Sequence, residues 1–309
     1  MIQNYHLGLI GYPLSHSLSP RIHLAALHAL NLPGDYELFT IPPLPDGRGE
    51  LVGLLQRIRS EEIQGLNITI PHKQSVLDLV DELTPTARSV GAVNTLLLQD
   101  NSLLGENTDA AGFLSDLRYN SSNVAKISIT PPASDVDPDR TALVLGAGGS
   151  ARAVVYALLM AGYELIIAAR RVEQAQQLVN QFSTQPNQVS PGSLKKKLSA
   201  VQLDVDNLAT LDQKTSSPVA VIVNCTPLGM VPDVNASPWP EGVPLPPGSL
   251  IYDLIYNPME TQLIRQARQA GLQAYNGLGM LVEQAALAFE LWTGREAPRS
   301  VMREAAAGS

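Results

Sequence analysis

A chain of 309 residues with 45% hydrophobic and 16% charged residues has enough apolar content for a sizeable core and the length of about two domains, which excludes wholesale disorder. A formal charge of −8 with no strongly basic stretch argues against a general nucleic-acid binder, and the single cysteine, Cys225, excludes a disulfide framework and a zinc site built mainly from cysteines. Neither a secretory signal nor a membrane-length apolar run is expected, so a soluble, cytoplasmic α/β protein remains.

In chain order, LGLIGYP (7–13) reads as a short buried strand closed by Gly11 and Pro13. Ser19-Pro20 then starts a helix, serine as N-cap and proline at the first helical position, and residues 21–30 carry its apolar stripe. DYELFTIP (35–42) reads as a strand, LVGLLQRIR (51–59) as a helix, GLNITIP (65–71) as an alternating strand and SVLDLVDEL (75–83) as a helix. Thr84-Pro85 starts another helix, and residues 92–109 form a hairpin turning at Asp100-Asn101, followed by a helix in DAAGFLSDL (109–117). Residues 120–140, rich in Ser, Asn, Pro and Asp, read as a surface insertion or linker.

The next segment, 141–171, is an apolar strand, a glycine turn, a long helix ended near Gly162 and a second apolar strand, which is a βαβ unit. Apolar strands recur at 219–226 and 249–256, separated by a proline-rich loop at 236–248, and a strong helix occupies 279–294, stopped by Gly294. Strands that are apolar on both faces and alternate with helices indicate a parallel sheet covered on both sides. The expected division is a first domain over 1–108 and a second over 109–278, with the return of the terminal helix to the first domain left open by these patterns.

Gly146-Ala147-Gly148-Gly149-Ser150-Ala151 fits G-x-G-x-x-G/A in the context that gives the motif meaning, after a strand, opening a helix, inside a βαβ unit. Such a turn lets backbone N–H groups and the positive end of a helix meet a pyrophosphate, so dinucleotide binding is expected. An NAD site carries an acid at the end of the second strand. Here Ala169-Arg170-Arg171 stands there, and a neutral residue followed by two arginines favours the 2′-phosphate of NADP.

A second group of residues is polar and lies mostly in the first half. Ser17 and Ser19 are two apart, as are Asn67 and Thr69 on a strand whose other face carries Leu66, Ile68 and Ile70; Lys73 follows Pro71, Asn94 sits in GAVNT and Asp109 in GENTD. Hydroxyls, amides, one ammonium and one carboxylate suit a small polyhydroxylated ligand. Each residue also has a plain alternative: Ser19 as helix cap, Lys73 on the surface, Asp109 favouring a helix N-terminus, Asn94 in a turn. The five histidines show no H-E-x-x-H spacing, so no metal is expected, and Cys225 reads as a small buried filler.

The segments GYPLSHSLSP, GLNITIPHK, GAVNT, GENTD, LGAGGSARA, VNCTPLGM, YDLIYNP and NGLGMLVEQAA occur in the order of a known family, and the chain resembles the shikimate dehydrogenases, NADP-dependent reductases of 3-dehydroshikimate in aromatic amino-acid biosynthesis. The resemblance implies an N-terminal α/β substrate domain, a Rossmann-like NADP-binding domain, an active-site cleft between them and a last helix (within 279–309) that rejoins the first domain. It implies Ser17 and Ser19 on the substrate carboxylate, Thr69 on substrate and Lys73 as catalytic acid or base paired with Asp109. Asn94 and Asp109 would hold ring hydroxyls, Tyr256 and Gln284 would complete the pocket, and Asn67 would lie near it. The 146–151 turn would take the pyrophosphate, Arg170 the 2′-phosphate, and Thr226, Leu254 and Gly277 would lie near the nicotinamide half.

The family's usual Asn-Arg-Thr at the second strand end is Ala169-Arg170-Arg171 here, so only the central arginine is kept. The alternatives are a quinate/shikimate dehydrogenase using NAD and a catalytically silent, ligand-binding paralogue; the serine pair and arginines argue against the first, and intact Lys73 and Asp109 against the second. Small-molecule ligands, with neither nucleic acid nor membrane, and a monomer or homodimer are the expected partners.

Overall fold

The computed structural model describes residues 4–122, 140–184, 198–215 and 217–308. It divides into two compact units, Met1–Gly112 with Leu281–Ser309, and Phe113–Met280. Most of the expected 120–140 insertion lies outside the described residues.

The first unit begins β1 (Tyr5–Gly11), α1 (Ser19–Ala29), β2 (Gly34–Thr40), α2 (Arg48–Arg59), β3 (Gly65–Ile68), β4 (Glu82–Leu83), α3 (Pro85–Val90), β5 (Thr95–Gln99) and β6 (Ser102–Glu106). Its mixed sheet has the order β2-β1-β3-β5-β6-β4; β1 runs parallel to both neighbours, whereas β3, β5 and β6 alternate in direction. The β5–β6 hairpin turns at Asp100 and Asn101 with φ of 49° and 67°, the left-handed pair that a two-residue hairpin turn requires and that Asp and Asn tolerate. Leu51, Leu54, Leu55 and Ile58 of α2 fall at helical spacing and pack with Ile10, Leu66, Ile68, Leu96 and Leu103 into one core. Thr84 caps α3 as expected, its hydroxyl accepting from the Ala87 N–H at 3.1 Å.

Three local expectations are corrected. Ser19 is not the N-cap of α1; Leu18 holds that position and makes no side-chain cap bond, while Ser17 Oγ accepts from the Ser19 N–H at 3.3 Å. Residues 75–83 form no helix. A run of turns, with bonds such as Leu77 N–H to Gln74 O (3.2 Å), leads into the short strand β4 because Glu82 and Leu83 pair with β6. Ile70 does not share the buried face of Leu66 and Ile68: β3 has ended by then, and Ile70 is 55% exposed.

The chain enters the second unit along α4 (Asp109–Ser122), then forms β7 (Thr141–Leu145), α5 (Gly149–Met160), β8 (Glu164–Ala169), α6 (Val172–Ser183), β9 (Leu198–Gln202), α7 (Val205–Ala209), α8 (Leu211–Lys214), β10 (Val219–Asn224), β11 (Leu250–Asp253), α9 (Gln262–Gln269) and β12 (Ala274–Asn276). The sheet is parallel throughout, in the order β12-β11-β10-β7-β8-β9. Read from its first strand, this is the doubly wound order 3-2-1-4-5-6, with its switch point between β7 and β10. The five residues of β7 are all buried, as a strand covered on both faces requires. The expected proline-rich loop is seen; buried Trp239 anchors it, donating from Nε1 to Val243 O at 2.9 Å. The chain closes with α10 (Leu278–Thr293), ended by Gly294 at φ 63°, and α11 (Arg299–Ala307), whose Arg299 and Arg303 pair with Glu290 and Glu283. Among the described residues no helix is long and apolar enough to cross a membrane.

Candidate active site

In the first unit, sequence-distant residues meet because of register. β3 and β5 pair antiparallel with Asn67 opposite Thr95, which puts Asn94 beside the end of β3. Asn107 takes the Ala110 N–H on its side chain at 3.2 Å and so starts α4 with Asp109 in its first turn. Lys73 follows in the turns after β3, tied down by Val93 N–H to Lys73 O at 2.8 Å. Its Nζ donates to Asp109 Oδ2 at 2.6 Å, with both residues buried. Asn94 Nδ2 donates to Asp109 Oδ1 and Thr108 Oγ1, both at 2.9 Å, and to Gln284 Oε1 at 3.3 Å; Asn94 Oδ1 accepts from the Thr108 N–H at 2.7 Å. Asp109 therefore serves both as a first-turn acid and as partner of Lys73.

Gln284 reaches this cluster because α10 passes close to α4 at Gly112, where a Cβ would sit 2.7 Å from Gln284 N. Asn67, also buried, joins through its amide, which donates to Asn94 O at 3.2 Å and Thr95 Oγ1 at 3.3 Å. Lys73, Asp109, Asn94, Gln284 and Asn67 thus form one bonded group. Ser17 lies before α1 and Ser19 within it, where Ser19 faces the Tyr36 phenol that bonds Asn67. Thr69 is half-buried just past β3, its N–H bonded to Ile10 O at 2.8 Å. Thr95 and Thr108 are members of the bonded group that the sequence did not single out, although each adjoins a residue that it did.

The second unit gathers the nucleotide-type residues at the carboxyl end of its sheet. Gly146 leaves β7 at φ 103°, where a Cβ would be strained and would stand 3.1 Å from Thr226 Cγ2, so the turn after β7 and the chain after β10 run side by side at the switch point. Gly148 opens α5 with no side-chain cap, no acid occupies the first turn, and a Cβ on Gly148 would meet nothing within 4 Å. Free N–H groups, a positive helix end and open space before them fit a pyrophosphate. Ala151 is buried in α5; Ala169 is the last residue of β8, and Arg170 and Arg171 follow it exposed, without an ion-pair partner among the described residues. These features fit NADP.

Thr226 is held from behind. Asn224 Oδ1 accepts its N–H at 2.9 Å and its hydroxyl at 2.7 Å, while Asn224 Nδ2 donates to Asp253 Oδ1 at 2.9 Å. Asp253 also accepts from Thr261 Oγ1 at 2.7 Å and from the Ile255 N–H at 3.1 Å. Burial pushes its carboxyl up to about 6 against those bonds. Asn224, Asp253 and Thr261 carried no sequence signal of their own. Gly277 lies against Leu254 O, and Tyr256 is half-buried beyond β11, its phenol pKa raised by burial.

Fold and site define a two-unit α/β protein of the dinucleotide-binding class, one unit a doubly wound parallel sheet and the other carrying a buried lysine–aspartate pair among amides and hydroxyls. Residues 9–96 match the shikimate dehydrogenase substrate binding domain, 133–214 the shikimate/quinate 5-dehydrogenase model and 277–307 the shikimate 5′-dehydrogenase C-terminal domain. A shikimate dehydrogenase (NADP(+)) of Symbiobacterium thermophilum is 38% identical, over 97% of this chain and 92% of its own. The structure of shikimate 5-dehydrogenase from Thermus thermophilus in complex with NADP(H) and shikimate is 35% identical, over 98% of both chains, with a TM-score of 0.78. Quinate dehydrogenase from Corynebacterium glutamicum in complex with NAD is 30% identical, over 99% of this chain and 100% of that one, with a TM-score of 0.81. The chain belongs to the shikimate dehydrogenase family.

Proposed function

We propose that this protein catalyses the reversible, NADP-dependent reduction of 3-dehydroshikimate to shikimate, in the cytoplasmic pathway to chorismate and the aromatic amino acids. The observation that carries the reading is the buried Lys73–Asp109 pair held by Asn94, which offers a proton donor at one point of a polar, hydroxyl-binding cluster. Bound NADPH supplies the hydride. In the direction of reduction Lys73 Nζ gives a proton to the substrate oxygen that becomes hydroxyl, and in the reverse direction it takes that proton back. Asp109 and Asn94 orient the ammonium and hold ring hydroxyls together with Gln284 and Thr69. Ser17 and Ser19 bind the carboxylate, Tyr256 contributes a further phenol, and Asn67 supports the strand end. The turn Gly146–Ala151 takes the pyrophosphate, Arg170 and Arg171 beyond Ala169 take the 2′-phosphate, and Thr226, Leu254 and Gly277 adjoin the nicotinamide.

The test is NADPH or NADH formation by purified protein, with shikimate and quinate each offered with NADP and NAD. Turnover with shikimate and NADP alone is expected. Activity with quinate or NAD would overturn the specificity while keeping the site. Binding of shikimate with no turnover in any pairing would make the chain a silent relative.

A further inference from the structure

Ser19 and His23 lie one turn apart on α1 and face the same way, onto Tyr36 of β2 and Asn67 of β3. His23 is fully buried, its ring stacked on Tyr36 with centroids 4.5 Å apart and planes 7° from parallel, and tilted against Trp292 at 5.3 Å. Neither of its ring nitrogens has a hydrogen-bond partner, although the Asn67 amide faces the ring. Burial lowers its pKa to about 3, so the imidazole is neutral across the working range of pH. The Tyr36 hydroxyl donates to Asn67 Oδ1 at 2.8 Å, and the Ser19 hydroxyl faces the same phenol oxygen.

A phenylalanine would fill the space of Tyr36 without a buried polar atom to satisfy. What the hydroxyl adds is a fixed orientation for Asn67. With Oδ1 held by Tyr36, Nδ2 is directed at Asn94 O and Thr95 Oγ1. Asn94 in turn holds Asp109, and Asp109 holds Lys73. An Asn67 amide released by Tyr36 has a competing partner beside it, the unpaired nitrogens of His23.

We propose that Tyr36, braced by the His23 ring, is a positioning residue of the substrate site: its hydroxyl locks the Asn67 amide and links the serine carrying the carboxylate to the strand end leading to Lys73. The inference rests on the reading that this cluster binds shikimate.

A double-mutant cycle on the full chain tests it, with Tyr36→Phe, Asn67→Ala and the pair, read by calorimetric binding of shikimate and by steady-state kinetics. Tyr36→Phe is expected to raise KM and Kd for shikimate about 10-fold, the worth of one buried hydrogen bond, with KM for NADP unchanged. In the Asn67→Ala background the same change is expected to add nothing. Additive effects, an unchanged shikimate affinity, or equal losses toward both ligands would overturn the proposal. Should Asn67→Ala fail to fold, the split between shikimate and NADP in Tyr36→Phe decides alone. A wild-type chain that binds shikimate without turnover fails the proposed activity, and the binding cycle still judges Tyr36; one that binds no shikimate overturns both.

Discussion

Lys73 carries its ammonium where only 9% of the residue meets solvent, with one carboxylate oxygen 2.6 Å from Nζ and the other bonded to Asn94. The pair fixes the position of Nζ, which the proposed acid–base role requires. Lys73→Ala is expected to lower kcat by roughly 10²- to 10⁴-fold, the usual range for a general acid or base, with a much smaller change in KM for shikimate. Steady-state assay checks this, and a variant turning over near the wild-type rate would remove Lys73 from its role. The two partners stand 36 positions apart in sequence, so no spacing rule joins them. Their contact was legible only through the resemblance to the family, which implied the pair; spacing alone could not give it, because it depends on the β3–β5 register and on the Asn107 cap that begins α4. Asp253 was less readable still, since a buried carboxylate satisfied by Asn224, Thr261 and a backbone N–H looks like any strand-end acid.

At the level of elements, the proposed choice of nucleotide rests on the end of β8. Ala169 offers no carboxylate to a ribose 2′-hydroxyl, and the next two residues are exposed arginines. Arg170→Ala is expected to raise KM for NADP by roughly 10- to 100-fold, the worth of a hydrogen bond to a charged group, and to leave KM for shikimate within about twofold. Equal effects on both constants, measured by varying each ligand against saturating partner, would show that Arg170 does not meet the phosphate. The βαβ unit around it was legible because its strands are apolar throughout and its turn is set by glycine, and the β5–β6 hairpin because Asp100-Asn101 is a turn signal with its own stereochemistry. The stretch 75–83 misled because Val76, Leu77, Leu79 and Val80 all reach the core, a pattern that a helix and a succession of turns satisfy equally. Ser19 misled for a similar reason: Ser-Pro is a good helix start, yet the chain enters α1 one residue earlier and Ser17 supplies the nearby side-chain bond. α9 has only Leu263, Ile264 and Ala267 on its buried side, and β12 is three residues long, too little for either to stand out by period.

On the scale of the whole molecule, the two units place titrating groups of opposite sign in the same pH range. In the first unit His23 is held at about 3 by burial, below its ordinary 6.5, so its share of stability is complete above pH 6.5 and is lost as pH falls through the window toward 3. Asp81, bonded by Arg59, also sits below its ordinary value; Glu290, though burial opposes it, is carried there by Arg299, so both push this unit the same way at lower pH. In the second unit Asp253 is raised by burial from 3.8 to about 6, so the folded form holds its proton more tightly and stability rises as pH falls from about 6 toward 3.8. Between pH 6.5 and 4.5 the His23 effect removes, and the Asp253 effect adds, on the order of 2 kcal/mol each, at 1.36 kcal/mol per pKa unit. Native-state hydrogen exchange, corrected for intrinsic rates, is therefore expected to show β1 and β3 losing protection at pH 4.5 while β7 and β10 keep or gain it. Asp253→Asn should erase the gain in the second unit and leave the first unit's loss in place. Equal loss of protection in both sheets would mean that the burial of His23 and Asp253 does not govern the acid response of this chain.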